Sequence, residues 1–206
     1  MAALTPMMQQ YVEVKEKYKD CILFYRIGDF YEMFFEDAIT ASKVLEITLT
    51  GKDCGQEERA PMCGVPYHAC DVYLNKLIEN GFKVAICEQV EDPKLAKGLV
   101  KRDVIRVVTP GTNMSQAILD ENTNNYLMSI YLSKDMSGVS VVDITTGEFK
   151  TCRISSIAKL ADEINKYSPS EIIGNDDFLN APLDFEYMKD RQKIAISKTQ
   201  IGRAHV

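Results

Sequence analysis

Several features are missing from this chain of 206 residues, and each absence excludes a class. No run of about 18 apolar residues occurs, so no transmembrane helix is expected. The opening MAALTPMMQQ has no basic stretch followed by an apolar core, so no secretory leader is expected. No GxxxxGK[ST] turn is present to cradle a nucleotide. None of the six cysteines stands in a CxxC pair, and only His68 and His205 could add imidazole ligands. Cys63 and Cys70 are the nearest pair and flank Pro66. That spacing argues against a zinc site and for reduced thiols used as small apolar side chains. No internal repeat or low-complexity tract appears. What remains is an ordinary globular mixture, 46% hydrophobic and 26% charged, in a chain long enough for one or two domains.

The net charge of −6 argues weakly against nucleic acid, but totals hide distribution. Residues 1–115 carry 14 basic and 17 acidic side chains, and residues 116–206 carry 10 and 13. Within the first part, Lys94, Lys97, Lys101, Arg102 and Arg106 face a single acid, Asp103. That basic segment reads either as a solvated face or as a set of phosphate contacts.

The first half alternates helix and strand patterns. Thr5-Pro6 is a helix start, with Thr as cap and Pro where its missing N–H costs nothing. A strand is expected at 21–28, a helix at 36–46 and a strand running into a turn over 46–51. Residues 51–61 read as a loop. An amphipathic helix over 68–81, with Val72, Leu74, Leu77 and Ile78 on one face, ends at Asn80-Gly81. Strands are expected at 83–90 and 103–111. Residues 112–125 are poor in large apolar side chains and rich in Asn, Thr and Ser, which places the domain boundary near 112–122. We take the domains as 1–115 and 116–206.

The second half reads as a three-stranded meander (125–132, 138–145, 148–154), a helix over 157–167 and a short strand at 171–174. The fold class is therefore α/β throughout, with a second sheet ordered as in ribonuclease-H-like domains. Residues 175–206 show no further long amphipathic helix to cover that sheet's other face, so this domain is expected to be incomplete. The final IGRAHV follows no periodic pattern and is given no function. A nuclease of this fold would need an acid on its first strand, and NYLMSIYL has none. Asp143 and Glu148 fall too late for a two-metal cluster, so a docking module is preferred to an enzyme.

The informative stretch is FYRIGDFYEMFFEDA (24–38). Strand alternation puts Phe30 and Glu32 on one face and Tyr31 on the other. Spacing alone allows a plain reading, with Phe30 in a core and Glu32 a rim charge. Gly28 permits a turn conformation that a Cβ would resist, and Asp29 suits the same turn. Tyr67 and Pro66 read as loop architecture. Met7, Met8, Met33 and Met62 read as packing.

Five blocks then carry a resemblance: TPMMQQY (5–11), LFYRIGDFYEMF (23–34), PMCGVPYHA (61–69), VAICEQVEDP (84–93) and RVVTPGT (106–112). In this order and spacing the chain resembles the MutS family of DNA mismatch recognition proteins at their amino-terminal end. DITTGEF (143–149) resembles the family's next domain, the connector, which is ribonuclease-H-like. The resemblance implies a mixed-sheet mismatch-recognition domain followed by a truncated connector. It implies that Phe30 and Glu32 are the mismatch-reading pair, with Ile27, Lys52 and His68 as further candidate DNA contacts. It implies mismatched double-stranded DNA as ligand and a cytoplasmic protein acting on chromosomal DNA. The dimer surface, the ATP- and Mg-dependent ATPase and the contact with a MutL-like partner would lie outside this stretch. No cofactor, metal or catalytic residue is expected within it.

Overall fold

The computed structural model describes residues 4–91, 98–113, 124–134 and 136–199. Two compact units divide the chain, Met1–Val108 and Thr109–Val206.

In the first unit the elements run α1 (Pro6–Lys17), β1 (Cys21–Ile27), β2 (Phe30–Phe34), α2 (Phe35–Leu45), β3 (Thr50–Lys52), β4 (Ala60–Pro66), α3 (Cys70–Glu79), β5 (Lys83–Gln89) and β6 (Arg102–Val108). Thr5 caps α1 by accepting from the Met8 N–H, with Pro6 at the first helical position. The mixed sheet has the order β3-β4-β2-β1-β5-β6, and only β1 and β5 pair in parallel. One face carries Leu23, Tyr25, Phe34, Ala85 and Cys87, which pack with Met8 and Tyr11 of α1. Against the other face lie α2 and α3, where the Cys63 thiol donates to the Ala38 carbonyl and Leu74, Leu77 and Ile78 are buried.

Four expectations change here. The strand expected over 46–51 is confined to Thr50–Lys52, because Glu46 ends α2 in a left-handed conformation (φ +58°). Residues 51–61 are a loop only in their middle, since β4 begins at Ala60. The helix expected from residue 68 starts at Cys70, preceded by a 3-10 turn over Tyr67–Ala69. Val72, assigned to its apolar face, is 71% exposed.

The second unit contains β7 (Tyr126–Ser133), β8 (Met136–Asp143), β9 (Phe149–Ile154), α4 (Ile157–Tyr167), β10 (Glu171–Gly174), α5 (Asp176–Leu179), α6 (Phe185–Asp190) and β11 (Ala195–Lys198). Its sheet order is β11-β10-β7-β8-β9, with the expected antiparallel meander and β10 parallel to β7. Beyond the expected elements, β11 adds a second parallel strand and α5 and α6 supply short crossover cover. Both crossovers step the same way along the sheet, so right-handed connections put their helices on one face. Leu160 and Ile164 of α4, Phe178 of α5 and Met188 of α6 accordingly share one core with Met128 and Ile130. Strand alternation assigns Ser129, Ser140 and Thr151 to the other face, with the exposed Tyr131, Met136 and Phe149.

The units part between Val108 and Thr109, a few residues before the boundary expected at 115/116. The cause is the turn Pro110–Thr112, which packs into the second unit. The Gly111 N–H donates to Glu171 Oε2 at 3.3 Å, and the Asn125 amide donates to the Pro110 carbonyl at 3.1 Å. A Cβ on Gly111 would stand 2.8 Å from that of Glu171, too close for any larger residue. Residues 114–123, at the expected boundary, Lys94 and Lys97 of the basic segment, and IGRAHV lie outside the described residues.

Candidate nucleic-acid interface

The β1–β2 hairpin is closed by Gly28-Asp29, with Ile27 paired to Phe30. Gly28 has φ +55°, and a positive φ at the first central position is the pattern of a two-residue turn that favours glycine. Alternation then sorts the next residues as expected. Phe30 is 47% exposed, Tyr31 only 6%, and Glu32 stands on the same face as Phe30. Across the strands, Phe30 is flanked by Ile27 and Pro66, and Glu32 by Tyr25 and Gly64.

The strand order β3-β4-β2 brings Lys52 over to this face. Its Nζ lies 2.5 Å from Glu32 Oε2 and 5.6 Å from the centre of the Phe34 ring. Phe30, Ile27, Glu32 and Lys52 thus form one patch at the end of the sheet, and the Glu32 charge has a cation beside it. Exposed His68 holds its ring edge-on to that of Tyr67 at 5.8 Å. Of the basic segment, Lys101 and Arg106 are exposed. Arg102 is turned inward, donating to the Arg26 carbonyl at 2.7 Å, to Gln10 Oε1 at 3.1 Å and to the Val100 carbonyl at 3.0 Å.

Sequence reasoning gave no role to the group behind the hairpin. The Arg26 guanidinium lies 3.9 Å from the Tyr67 ring centre and 5.6 Å from that of Tyr31. Glu88 Oε1 accepts the Tyr31 hydroxyl and lies 3.5 Å from Arg26 Nη1. Burial, then the hydrogen bond to Glu88, pushes the Tyr31 phenol well above its ordinary pKa, so it stays a donor. The Arg26 Nε donates to the Gly28 carbonyl at 2.5 Å, and the Tyr67 N–H donates to the Asp29 carbonyl at 2.9 Å. The available signal was Glu88 itself, a carboxylate inside the apolar run KVAICEQV.

The thiols behave as packing groups. Burial pushes Cys21 and Cys87 up to about 12 and Cys63 and Cys70 up to about 11, far from a nucleophilic range. Asp143, weighed as a metal ligand, closes the β8–β9 turn instead. Its carboxylate accepts from the Thr145 N–H at 3.0 Å, the Thr145 hydroxyl at 2.7 Å and the Thr146 hydroxyl at 3.0 Å. Glu148 pairs with Lys150 at 2.7 Å. Among the described residues, no three His, Cys, Asp or Glu side chains are grouped to hold a metal, and no helix is long and apolar enough to cross a membrane.

Comparison with known proteins bears on the whole chain. The family model MutS domain I matches residues 5–117, and MutS domain II matches residues 125–201. A DNA mismatch repair protein MutS from Lachnoclostridium phytofermentans is 66% identical over 197 residues, covering 96% of this chain and 21% of the relative. That of Acetivibrio thermocellus is 64% identical over 200 residues, covering 96% of this chain and 23% of the relative. The chain therefore spans about a fifth of the length of the curated relatives it matches. With both domain models matched in order and the hairpin patch in the first of them, this chain belongs to the MutS family.

Proposed function

We propose that this chain reads mispairs in duplex DNA, as the DNA-contacting part of a larger ATP-dependent dimer in mismatch repair. The observation that carries the reading is the half-exposed Phe30 ring at a hairpin end, beside a carboxylate and backed by a packed sheet. An apolar ring entering the minor groove wedges between base steps and kinks the duplex. Unstacking costs a few kcal/mol and least where pairing is already poor, so a mispair is read as deformability. Ile27 presses beside the ring, and Glu32 accepts from a base edge opened by the kink. Lys52 offsets the Glu32 charge near the polyanion and supplies a phosphate contact, while His68 contacts the backbone from the Tyr67 side.

The chain has no nucleotide-cradling turn, so ATP and Mg belong to parts of the protein outside it, as do the dimer surface and the contact with a MutL-like partner. We assign no catalytic role to these residues. A nuclease reading of the second unit has less support, because Asp143 spends its oxygens on Thr145 and Thr146.

The test is Phe30→Ala in the full-length protein, titrated against mismatched and matched duplexes at fixed salt. The expected result is loss of mismatch preference with retention of the weak, salt-sensitive duplex binding. A folded variant that keeps its preference would remove the wedge assignment.

A further inference from the structure

We propose that Arg26 is a positioning residue for mismatch reading: held between the Tyr67 and Tyr31 rings and tied to Glu88, it fixes the Gly28-Asp29 turn and hence the direction in which Phe30 projects. The inference rests on the wedge reading above. Arg26 pairs with Tyr31 in the hairpin, so its side chain stands on the opposite face from Phe30, with only 17% of it exposed. It reaches the turn through Nε, which donates to the Gly28 carbonyl. From the neighbouring strand's end, the Tyr67 N–H holds the Asp29 carbonyl. The carbonyls of both turn residues are thus tied down immediately before Phe30. A planar guanidinium can stack on two rings, pair with a carboxylate and donate from Nε at the same time, and an ammonium cannot. Without these ties the ring would sample directions that miss the base step, and binding energy at a mispair would be spent on ordering it.

Arg26→Lys keeps the charge and removes the stacking plane and the Nε bond. In the full-length protein it should lower the ratio of mismatched to matched affinity about fivefold to tenfold, the scale of one lost partly buried cation–π contact. The matched-duplex affinity and the salt slope should stay unchanged. 2-Aminopurine beside the mispair should brighten less on binding, because fewer complexes unstack the step. Tyr67→Leu removes one ring and leaves the Glu88 pair intact; it should show the same split and serves if the Arg26 variant folds poorly, as judged by circular dichroism. Phe30→Ala with Arg26→Lys should discriminate no worse than Phe30→Ala alone.

A parallel loss on both duplexes with a shallower salt slope would make Arg26 a phosphate contact and overturn the proposal. An unchanged ratio in both Arg26→Lys and Tyr67→Leu, or a further loss in the double variant, would also overturn it. If Phe30→Ala itself keeps full preference, the wedge reading falls and the proposal with it. If Phe30→Ala loses preference and Arg26→Lys does not, only the role of Arg26 falls.

Discussion

Glu32 shares the hairpin face with a cation, and that pairing bears on how it would meet DNA. Alone beside DNA, a carboxylate is repelled; paired with Lys52 at 2.5 Å, it presents a nearly neutral couple until one partner is drawn away. With side-chain exposures of 14% and 29%, the pair is partly screened and contributes modestly to stability. Its effect belongs on binding. Glu32→Gln removes a carboxylate that repels the polyanion and competes with phosphate for Lys52, so affinity for matched duplex should rise about threefold to tenfold. Lys52→Met should weaken both duplexes by a similar factor. Titrations of the two variants against both duplexes check this, and a fall in matched affinity for Glu32→Gln would remove the repulsion argument. The thiols allow a second test. Cys152 is exposed, whereas Cys21, Cys54, Cys63 and Cys87 are buried. Alkylation of the folded protein near pH 8 should therefore label Cys152 well before those four, as read by peptide mass mapping.

At the level of single elements, two turns hold strain or hydrogen bonds that substitution should expose. Gly28 at φ +55° has nothing within 4 Å of where a Cβ would stand, so Gly28→Ala meets only the left-handed backbone penalty, ~1–2 kcal/mol. A denaturant titration should show that loss, and an unchanged midpoint would mean the turn relaxes. In the β8–β9 turn, burial works against ionisation of Asp143, but hydrogen bonds from Thr145 and Thr146 outweigh it and lower its pKa below the ordinary carboxylate value. A depressed folded pKa contributes stability above the unfolded value and loses it as pH falls through the folded one. The second unit should therefore lose stability on acidification below the usual Asp range. Asp143→Ala should remove that component and cost ~1–3 kcal/mol at neutral pH for the orphaned donors. Melting curves across a pH series would test both.

The same elements show what the sequence could tell. The cap at Thr5-Pro6, the helix Ile157–Tyr167 and the opposed faces of Phe30 and Tyr31 follow from local spacing, and they were legible. Strand β4 was not, because Pro61, Gly64 and Pro66 carry loop chemistry in a segment that pairing on both sides makes a strand. The Glu32–Lys52 pair depends on that hidden strand. Arg26 and Glu88 meet because β1 runs parallel to β5, a pairing no local pattern announces. Contacts made by topology were out of reach, and contacts made by alternation were not.

For the chain as a whole, charge sets an upper bound on what it does alone. At net −6, with the described basic residues partly committed to acids and carbonyls, it can neutralise few phosphates. The isolated 206-residue chain should bind mismatched duplex weakly and release it at moderate salt, as read by anisotropy at several ionic strengths. Tight, salt-resistant binding would place the affinity in these two units and not in other parts of the protein.

The anchored hairpin turn also has a consequence for time. A protein hunting one flawed step among thousands of sound ones must question each quickly and leave. A floppy probe would have to be ordered anew at every stop, and that entropy would be lost again at every departure. Tied at Gly28 and Asp29 from two sides, the turn that carries Phe30 is ordered once, when the chain folds. On the wedge reading proposed above, each interrogation would then cost only the local opening of the stack, and the dwell at a sound step would be set by the DNA's own stiffness.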